Sequence, residues 1–294
     1  MVSTDPCGGS SESSNLSRHP QKILGGTKRY DKIKGKMPLN KKIAVFDLDG
    51  TLTESKQLIT AEMAALLDRL AERVIVGVIS GASLKQFEKQ LLPRLVSPRT
   101  VLGAKPAGRL VLLPTSGSQR YESKNNQWEL VSETPFDPSL RAKVMSALRE
   151  IVVDPAFGLA ILPERLADYA EDRRTQITFS ALGQTAPIEI KRLWDPDQQK
   201  RLKIKARLEA LVPEAEINLG GTTSIDILPK GFNKAVGLKL WLADQNISPA
   251  ELVFVGDAVY PGGNDYSVLA AGMETIKVAG PAETAPVIKN WLTD

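Results

Sequence analysis

The 294-residue chain has a single cysteine and a single histidine, Cys7 and His19, and both fall within its first 40 residues. One thiol cannot form a disulfide within the chain, which is typical of a reducing compartment and predicts a cytoplasmic protein. Residues 41–294 have no cysteine nucleophile, no Ser-His-Asp triad and no histidine ligand for zinc. Chemistry there must use carboxylates, hydroxyls, lysine, arginine and backbone groups, and a bound metal would be a hard cation with oxygen ligands.

The sequence also lacks an apolar run of about 18 residues, so we expect no transmembrane helix and no membrane partner. The net charge of +4 comes from the N-terminus, because residues 1–40 hold seven Lys or Arg and three acids, whereas residues 41–294 hold 31 of each. With no excess of basic charge in the body of the chain, we expect no nucleic-acid partner. The composition of residues 1–40 predicts a disordered basic leader.

Apolar runs of strand length occur at residues 43–46, 74–79 and 252–255, and each ends in small or acidic residues. The first run is followed by a pattern with apolar residues every three or four positions, which predicts a helix that begins at Thr60. Apolar strands that alternate with helices favour an α/β fold with a doubly wound parallel sheet, because both faces of such strands are covered.

The middle of the chain has a different pattern, in which strand-like segments such as residues 223–228 have one polar face. We interpret it as an inserted α+β domain. The predicted organisation is therefore a leader at residues 1–40, a core at residues 41–132 and 229–294, and an inserted domain at residues 133–228.

Two carboxylates, Asp47 and Asp49, follow the first predicted strand in the segment DLDGTLT, which spans residues 47–53. Open α/β sheets bind ligands at the edge where their strands end. An aspartate at this edge can attack phosphorus as a nucleophile, and a second acid beside it can protonate the leaving oxygen and later activate water. Gly50 permits the sharp turn that such a loop requires.

This segment resembles the DxDGT signature of the haloacid dehalogenase superfamily. The resemblance implies that Asp47 is the nucleophile and that Asp49 is the general acid/base. Ser80 matches the residue that hydrogen-bonds the transferred phosphoryl group, and Lys234 matches the lysine that neutralises phosphoryl and aspartate charge. The segments Gly256-Asp257 and Asn264-Asp265 match the acidic motif of the metal site. The implied cofactor is Mg²⁺, and its implied ligands and orienting residues are Asp47, Asp49 (through its backbone carbonyl), Asp257, Asn264 and Asp265.

The insertion lies after Ser80 and before Lys234, which is similar to the C2-type cap of subfamily IIB. Within that subfamily, residues 220–234 and 256–266 resemble the α-phosphomannomutases and related sugar-phosphate phosphatases. The resemblance implies a small phosphorylated metabolite as the substrate, a sugar phosphate in particular, and a cap-mediated homodimer. The implied substrate-binding residues are Gly50, Thr51, Lys56, Gly81, Arg173, Arg174, Ser224 and Asp226.

Three positions depart from the mutase pattern. Lys56 and Gln184 stand where the mutases have arginines, and residues 187–191 offer no clear match for a further arginine. A mutase must hold the distal phosphate of a bisphosphorylated intermediate, which favours bidentate arginine. We therefore predict a phosphatase that acts through an aspartyl-phosphate. The alternative is a phosphohexomutase acting on mannose or glucose phosphates, and a third hypothesis is a non-catalytic binding protein that has kept the fold.

Overall fold

The computed structural model of the chain describes residues 27–29, 39–95, 110–125, 127–183 and 185–293. The strands in these ranges are β1 (Thr27–Arg29), β2 (Ile43–Asp47), β3 (Ile75–Ile79), β4 (Leu110–Leu113), β5 (Gln119–Lys124), β6 (Gln127–Glu133), β7 (Ala170–Asp172), β8 (Ile177–Ser180), β9 (Ala215–Gly220), β10 (Ser224–Pro229), β11 (Leu252–Gly256) and β12 (Glu274–Lys277). The α-helices are α1 (Ala61–Ala71), α2 (Leu84–Gln90), α3 (Pro138–Val153), α4 (Ile188–Trp194), α5 (Gln199–Leu211), α6 (Lys234–Asp244), α7 (Tyr266–Ala270) and α8 (Pro281–Leu292).

One sheet contains eight strands in the order β1-β12-β11-β2-β3-β4-β5-β6. The pairings from β1 across to β4 are parallel, and β5 and β6 extend the sheet as an antiparallel hairpin. Helices α1, α2 and α8 pack on one face, and α6 and α7 pack on the other. The predicted doubly wound α/β core is confirmed.

The residues of β2 explain why the strands of this sheet are apolar throughout. Ala44 and Phe46 face the core under α1 and α8, whereas Ile43 and Val45 face the core under α6. Since both faces are covered by helices, every residue of the strand is buried.

The second sheet has four antiparallel strands in the order β7-β8-β10-β9. Its apolar face packs against α3 and α5, and we call this sheet with those two helices the cap. On the other face the strand register aligns polar side chains, namely Glu171, Thr178, Ser180, Ser224 and Asp226. The predicted inserted α+β cap is confirmed as an architecture, whereas its limits at residues 133 and 228 remain predictions.

Three elements are not expected from the sequence. Strand β7 and helix α4 are short, so neither spans enough residues to show a clear period. Thr27–Arg29, in the predicted disordered leader, pairs with β12 and forms the edge of the sheet. An edge strand is held by backbone hydrogen bonds, so it does not require apolar side chains. The rest of residues 1–38 lies outside the described part. No helix in the described part of the chain has the length and hydropathy needed to span a bilayer.

Candidate functional site

Three neighbouring parallel strands place the predicted catalytic side chains at one edge of the core sheet. Strand β2 ends at Asp47, β3 ends one residue before Ser80, and β11 ends one residue before Asp257. Since β11, β2 and β3 are adjacent, these residues meet where an open α/β sheet binds its ligands.

A carboxylate cluster lies at this edge, made of Asp47 and Asp265, which are buried, and Asp257, which is half-buried. One carboxylate oxygen from each lies within 4.8 Å of those of the other two. Lys234 Nζ donates hydrogen bonds to Asp47 Oδ1 at 2.5 Å and to Asp265 Oδ1 at 2.6 Å. The Ala258 N–H donates to Asp265 Oδ2 at 3.1 Å. The ammonium of Lys234 and a backbone N–H therefore help to hold the cluster in place.

The charges in the carboxylate cluster shift one another's pKa values. Burial raises the pKa of Asp47 well above its usual range, attraction to Lys234 opposes the rise, and repulsion from Asp265 and Asp257 adds to it. Burial also raises the pKa of Asp257, with repulsion from Asp265 adding to the effect. Burial alone would lower the pKa of Lys234, but attraction to Asp265 and Asp47 outweighs it, and the pKa is raised. Lys234 therefore stays a cation at physiological pH.

The donor set of the carboxylate cluster fits the implied Mg²⁺. Three carboxylates and one ammonium leave excess negative charge in a buried place, and oxygen ligands are those that Mg²⁺ prefers. Asp47, Asp257 and Asp265 would hold the ion. When bound, it would supply positive charge to a phosphoryl group at Asp47. Asn264 is exposed, and its part in the site remains a prediction.

The loop after Asp47 is shaped by its glycine. Gly50 has a φ of 79°, and a Cβ atom there would lie 2.6 Å from Asp257 Oδ2, so a larger residue would collide with the carboxylate cluster. Thr51, which follows, is buried, and its hydroxyl donates to Asp257 Oδ1 at 3.4 Å. Both predicted substrate-binding residues of this loop therefore lie against the cluster.

The carboxylate of Asp49 is not part of the cluster. Its Oδ1 accepts hydrogen bonds from the backbone N–H of Lys56 at 2.6 Å and from Gln90 Nε2 at 2.9 Å. Its Oδ2 accepts no hydrogen bond from the described residues. With one oxygen held in place and the other accepting no hydrogen bond from the described residues, the carboxylate of Asp49 suits a group that exchanges protons. The contact of the Asp49 backbone carbonyl with the metal, which the resemblance implies, remains a prediction.

Gln90 is a site residue that the sequence does not reveal. It is the last residue of α2, is 1% exposed, and also donates from Nε2 to the carbonyl of Gln57 at 3.3 Å. The only signal in the sequence is a glutamine at an apolar position of a helix. Its amide holds Asp49 and the loop after Asp49 together.

Helix α6 places its first residue, Lys234, in the site. Asn233 caps the helix, since its side chain accepts a hydrogen bond from the Val236 N–H at 3.2 Å. A cation in the first turn is disfavoured by the helix dipole, so the contacts of Lys234 with two carboxylates offset that cost. The predicted position of Lys234 near the nucleophile is found in the structure.

The loop at Ser80 and Gly81 is where the cap meets the core. Ser80 Oγ accepts a hydrogen bond from the Ala82 N–H at 3.1 Å. The carbonyl of Gly81 accepts from two cap side chains, Arg173 Nη1 at 2.9 Å and Gln176 Nε2 at 2.8 Å. The polar face of the cap sheet therefore faces the catalytic edge of the core sheet, and we call the space between them the cleft.

Asp226 lies on the cap side of the cleft. Thr178 Oγ1 donates to Asp226 Oδ1 at 2.8 Å, and a Cβ atom at Gly81 would lie 2.8 Å from Asp226 Oδ2. Burial raises the pKa of Asp226, and the attraction of Arg173 opposes the rise. Ser224, two residues earlier on β10, shares the same polar face.

Of the two predicted cap arginines, the structure brings only Arg173 to the cleft. Arg174 has a side chain that is 72% exposed and pairs with Glu133 at 2.6 Å. The reason is local, because Arg174 has a φ of 68° in the turn between β7 and β8. This left-handed conformation turns its side chain away from that of Arg173. Gln184 lies outside the described residues.

Lys191 is a second residue that the sequence does not reveal. It lies on α4 and is 3% exposed. Burial lowers its pKa, and repulsion from nearby Lys56 lowers it further. Lys56 also lowers the pKa of Asp226 by attraction. Lys191 and Lys56 therefore lie close to each other, and Lys56 also lies close to Asp226.

The sequence of this chain is similar to those of known phosphomannomutases. The sequence model of a family described as eukaryotic phosphomannomutase matches residues 137–294, which is more than half of the chain. A probable phosphomannomutase of Caenorhabditis elegans is 26% identical over 260 residues, covering 86% of this chain and 96% of that protein. Phosphomannomutase 1 of Homo sapiens is 27% identical over 235 residues, covering 78% and 83% respectively.

Solved structures share the fold. An N-terminally truncated IMP-nucleotidase of Plasmodium falciparum has a TM-score of 0.63 and 15% identity, covering 86% of this chain and 70% of that one. A haloacid dehalogenase-like hydrolase from Bacteroides thetaiotaomicron has a TM-score of 0.54 and 17% identity, covering 85% and 98%. The resemblance to the haloacid dehalogenase superfamily is confirmed.

Proposed function

The chain belongs to the eukaryotic phosphomannomutase family, and from this we propose that it is a phosphohexomutase, which moves a phosphoryl group between two oxygens of a hexose phosphate. The observation that carries the proposal is the contact of Lys234 with both Asp47 and Asp265 in the carboxylate cluster. The relatives named phosphomannomutase favour this mutase alternative over the phosphatase predicted from the sequence.

In the first half-reaction, a carboxylate oxygen of Asp47 attacks one phosphorus atom of a hexose bisphosphate, and the bond from that phosphorus to its ester oxygen breaks. Asp49 gives a proton to the departing oxygen, which becomes a hydroxyl group. The phosphoryl group is then an acyl phosphate on Asp47, beside the ammonium of Lys234 and the hydroxyl of Ser80. Fixed donors of this kind stabilise the charge that spreads over the phosphoryl oxygens.

In the second half-reaction, a hydroxyl group of a hexose monophosphate attacks the acyl phosphate, the bond from phosphorus to the Asp47 oxygen breaks, and Asp49 takes the hydroxyl proton. Since the incoming sugar already carries one phosphate, a mutase needs positive charge away from Asp47 to hold it. Lys56 and Arg173 support this requirement, because both attract Asp226 on the cap side of the cleft. Lys191 lies near Lys56.

A phosphatase is the second candidate, in which water replaces the second hydroxyl. The observation in its favour is that Arg173 is already engaged, through Nη1 with the Gly81 carbonyl and through Nη2 with Glu171 at 2.6 Å. Lysine also binds phosphate through fewer fixed donors than arginine. A binding protein would not require a nucleophile, an acid/base and a lysine in contact, so the third hypothesis has little support.

The deciding experiment incubates the protein with Mg²⁺, mannose 1-phosphate and a small amount of glucose 1,6-bisphosphate. Phosphorus NMR separates mannose 6-phosphate from inorganic phosphate. We expect mannose 6-phosphate, and we expect Asp47→Asn to form neither product while the exposed control Asp168→Asn matches the wild type. Release of inorganic phosphate alone would support the phosphatase instead. Normal turnover by Asp47→Asn would refute the assignment of the nucleophile.

The proposed partner is a phosphorylated hexose, and the proposed cofactor is Mg²⁺. The cap-mediated homodimer implied by the resemblance stays a proposal, which sedimentation velocity would test.

A further inference from the structure

Gln176, which directly precedes β8, has an amide group of fixed orientation. It is fully buried, and its Nε2 donates to the carbonyl of Gly81 at 2.8 Å and to Thr178 Oγ1 at 2.9 Å. The Gly81 carbonyl can only accept hydrogen bonds. If the amide were rotated by half a turn, Oε1 would face that carbonyl oxygen, and two acceptors cannot form a hydrogen bond. The atom that faces Gly81 is therefore Nε2, and the other is Oε1.

The other end of this amide has no partner. Gln176 Oε1 is buried and makes no hydrogen bond with the described residues. An unpaired buried acceptor is destabilising. Anchoring the cap to the core accounts for Nε2, but it does not account for Oε1.

An unpaired donor lies close by. Arg173 donates from Nη1 to the same Gly81 carbonyl, and its Nε is also buried without a partner among the described residues. A hydroxyl group both donates and accepts, so it could pair with the acceptor of Gln176 and the donor of Arg173. The position suits a substrate group, because Gly81 follows Ser80, which lies at the proposed phosphoryl site.

We propose that Gln176 Oε1 accepts a hydrogen bond from a hydroxyl group of the substrate, which makes Gln176 a specificity-determining residue for sugar phosphates. This inference rests on the proposed function, since it assumes that a phosphate ester is processed in the cleft. The substrate hydroxyl lies near the phosphoryl end of the molecule. Thr178 accepts a hydrogen bond from Gln176 and donates one to Asp226, so it links the amide of Gln176 to the polar face of the cap sheet.

The test compares kcat/KM for mannose 6-phosphate with the values for its monodeoxy analogues and for p-nitrophenyl phosphate. A site built to hydrogen-bond a hydroxyl group rejects the analogue that lacks it. For the wild type, we expect kcat/KM to be at least about tenfold higher for mannose 6-phosphate than for one of the monodeoxy analogues. In Gln176→Met, the two kcat/KM values should differ by no more than about threefold. p-Nitrophenyl phosphate has no hydroxyl group to recognise, so its kcat/KM should change by less than about threefold.

Gln119→Met is the matched control, because Gln119 is another buried glutamine whose Nε2 reaches a cap carbonyl, that of Arg173 at 3.4 Å. It should keep the wild-type discrimination. Circular dichroism checks folding, and Gln176→Leu replaces Gln176→Met if the latter does not fold. An unchanged ratio in both Gln176 variants would overturn the inference, as would an equal loss on all substrates, which indicates an anchor for the cap only. Absence of turnover by the wild type on every ester would instead overturn the proposed function and this inference with it.

Discussion

Replacing Lys234 with methionine should strongly destabilise the protein, because it removes the ammonium group from between two buried carboxylates. The Nζ–oxygen distances are 2.5 and 2.6 Å, and Lys234 is 1% exposed. At an effective dielectric constant of about 20, Coulomb's law gives about 6 kcal/mol for each contact. Desolvation consumes much of this attraction, and breaking a buried ion pair costs about 3–5 kcal/mol in practice. We expect the free energy of unfolding to fall by that amount.

Urea unfolding at neutral pH without added metal measures the effect. The raised pKa of Lys234 means that its stabilisation is complete at neutral pH and is lost only as the pH rises through the folded-state value. Lys289→Met is the matched control. Lys289 contacts Glu62 at the same 2.6 Å, but the two side chains are 55% and 64% exposed, so its loss should cost less than about 1 kcal/mol.

A double-mutant cycle separates the ion pairs from other effects of the substitution. Asp47→Asn removes one of the two negative charges, so Lys234→Met should cost less in that background, with a coupling of about 0.5–3 kcal/mol. If Lys234→Met were as stable as Lys289→Met, or if the cycle showed no coupling, the assignment of Lys234 as the neutralising cation would be refuted.

Three further predictions follow from the same geometry. Gln90→Leu should lower kcat by about 10- to 100-fold with little change in the melting temperature, because Asp49 loses a side-chain donor; unchanged kcat in steady-state assays would contradict this role. Gly237→Ala should lower the free energy of unfolding by about 1–3 kcal/mol, because its Cβ would lie 2.5 Å from the Ser116 carbonyl oxygen. Gly280→Ala, where a Cβ meets nothing within 4 Å, is the control, and equal effects in urea titrations would exclude the packing explanation. EDTA should abolish turnover and Mg²⁺ should restore it, whereas activity that persists in EDTA would argue against the proposed cofactor.

The core fold and the carboxylate cluster could be predicted from the sequence for one physical reason. Parallel strands covered on both faces must be apolar along their length, as β2 is, so their ends are marked by the first polar residue. Asp47, Ser80 and Asp257 are such residues, and parallel pairing of β11, β2 and β3 brings them together. The residues that end the apolar strands, with the pairing of those strands, therefore locate the predicted catalytic edge.

The side chains that hydrogen-bond to the site residues could not be predicted in the same way. The hydrogen bond from Gln90 to Asp49 joins residues 41 positions apart, and that from Gln176 to the Gly81 carbonyl joins residues 95 positions apart. A single buried glutamine does not change the spacing of apolar residues from which a helix or strand is predicted. Its partner depends on tertiary packing, which a local pattern does not encode.

The cap shows most clearly why a residue-by-residue match with a family is incomplete. The sequence comparison equates a missing arginine with a missing phosphate contact, yet binding requires positive charge in the cleft and not a particular residue at a particular place. Helix α4, which the sequence does not predict, buries Lys191 close enough to Lys56 to lower its pKa. Within the proposed mutase reaction, lysines at other positions therefore supply the positive charge that the family pattern assigns to arginines.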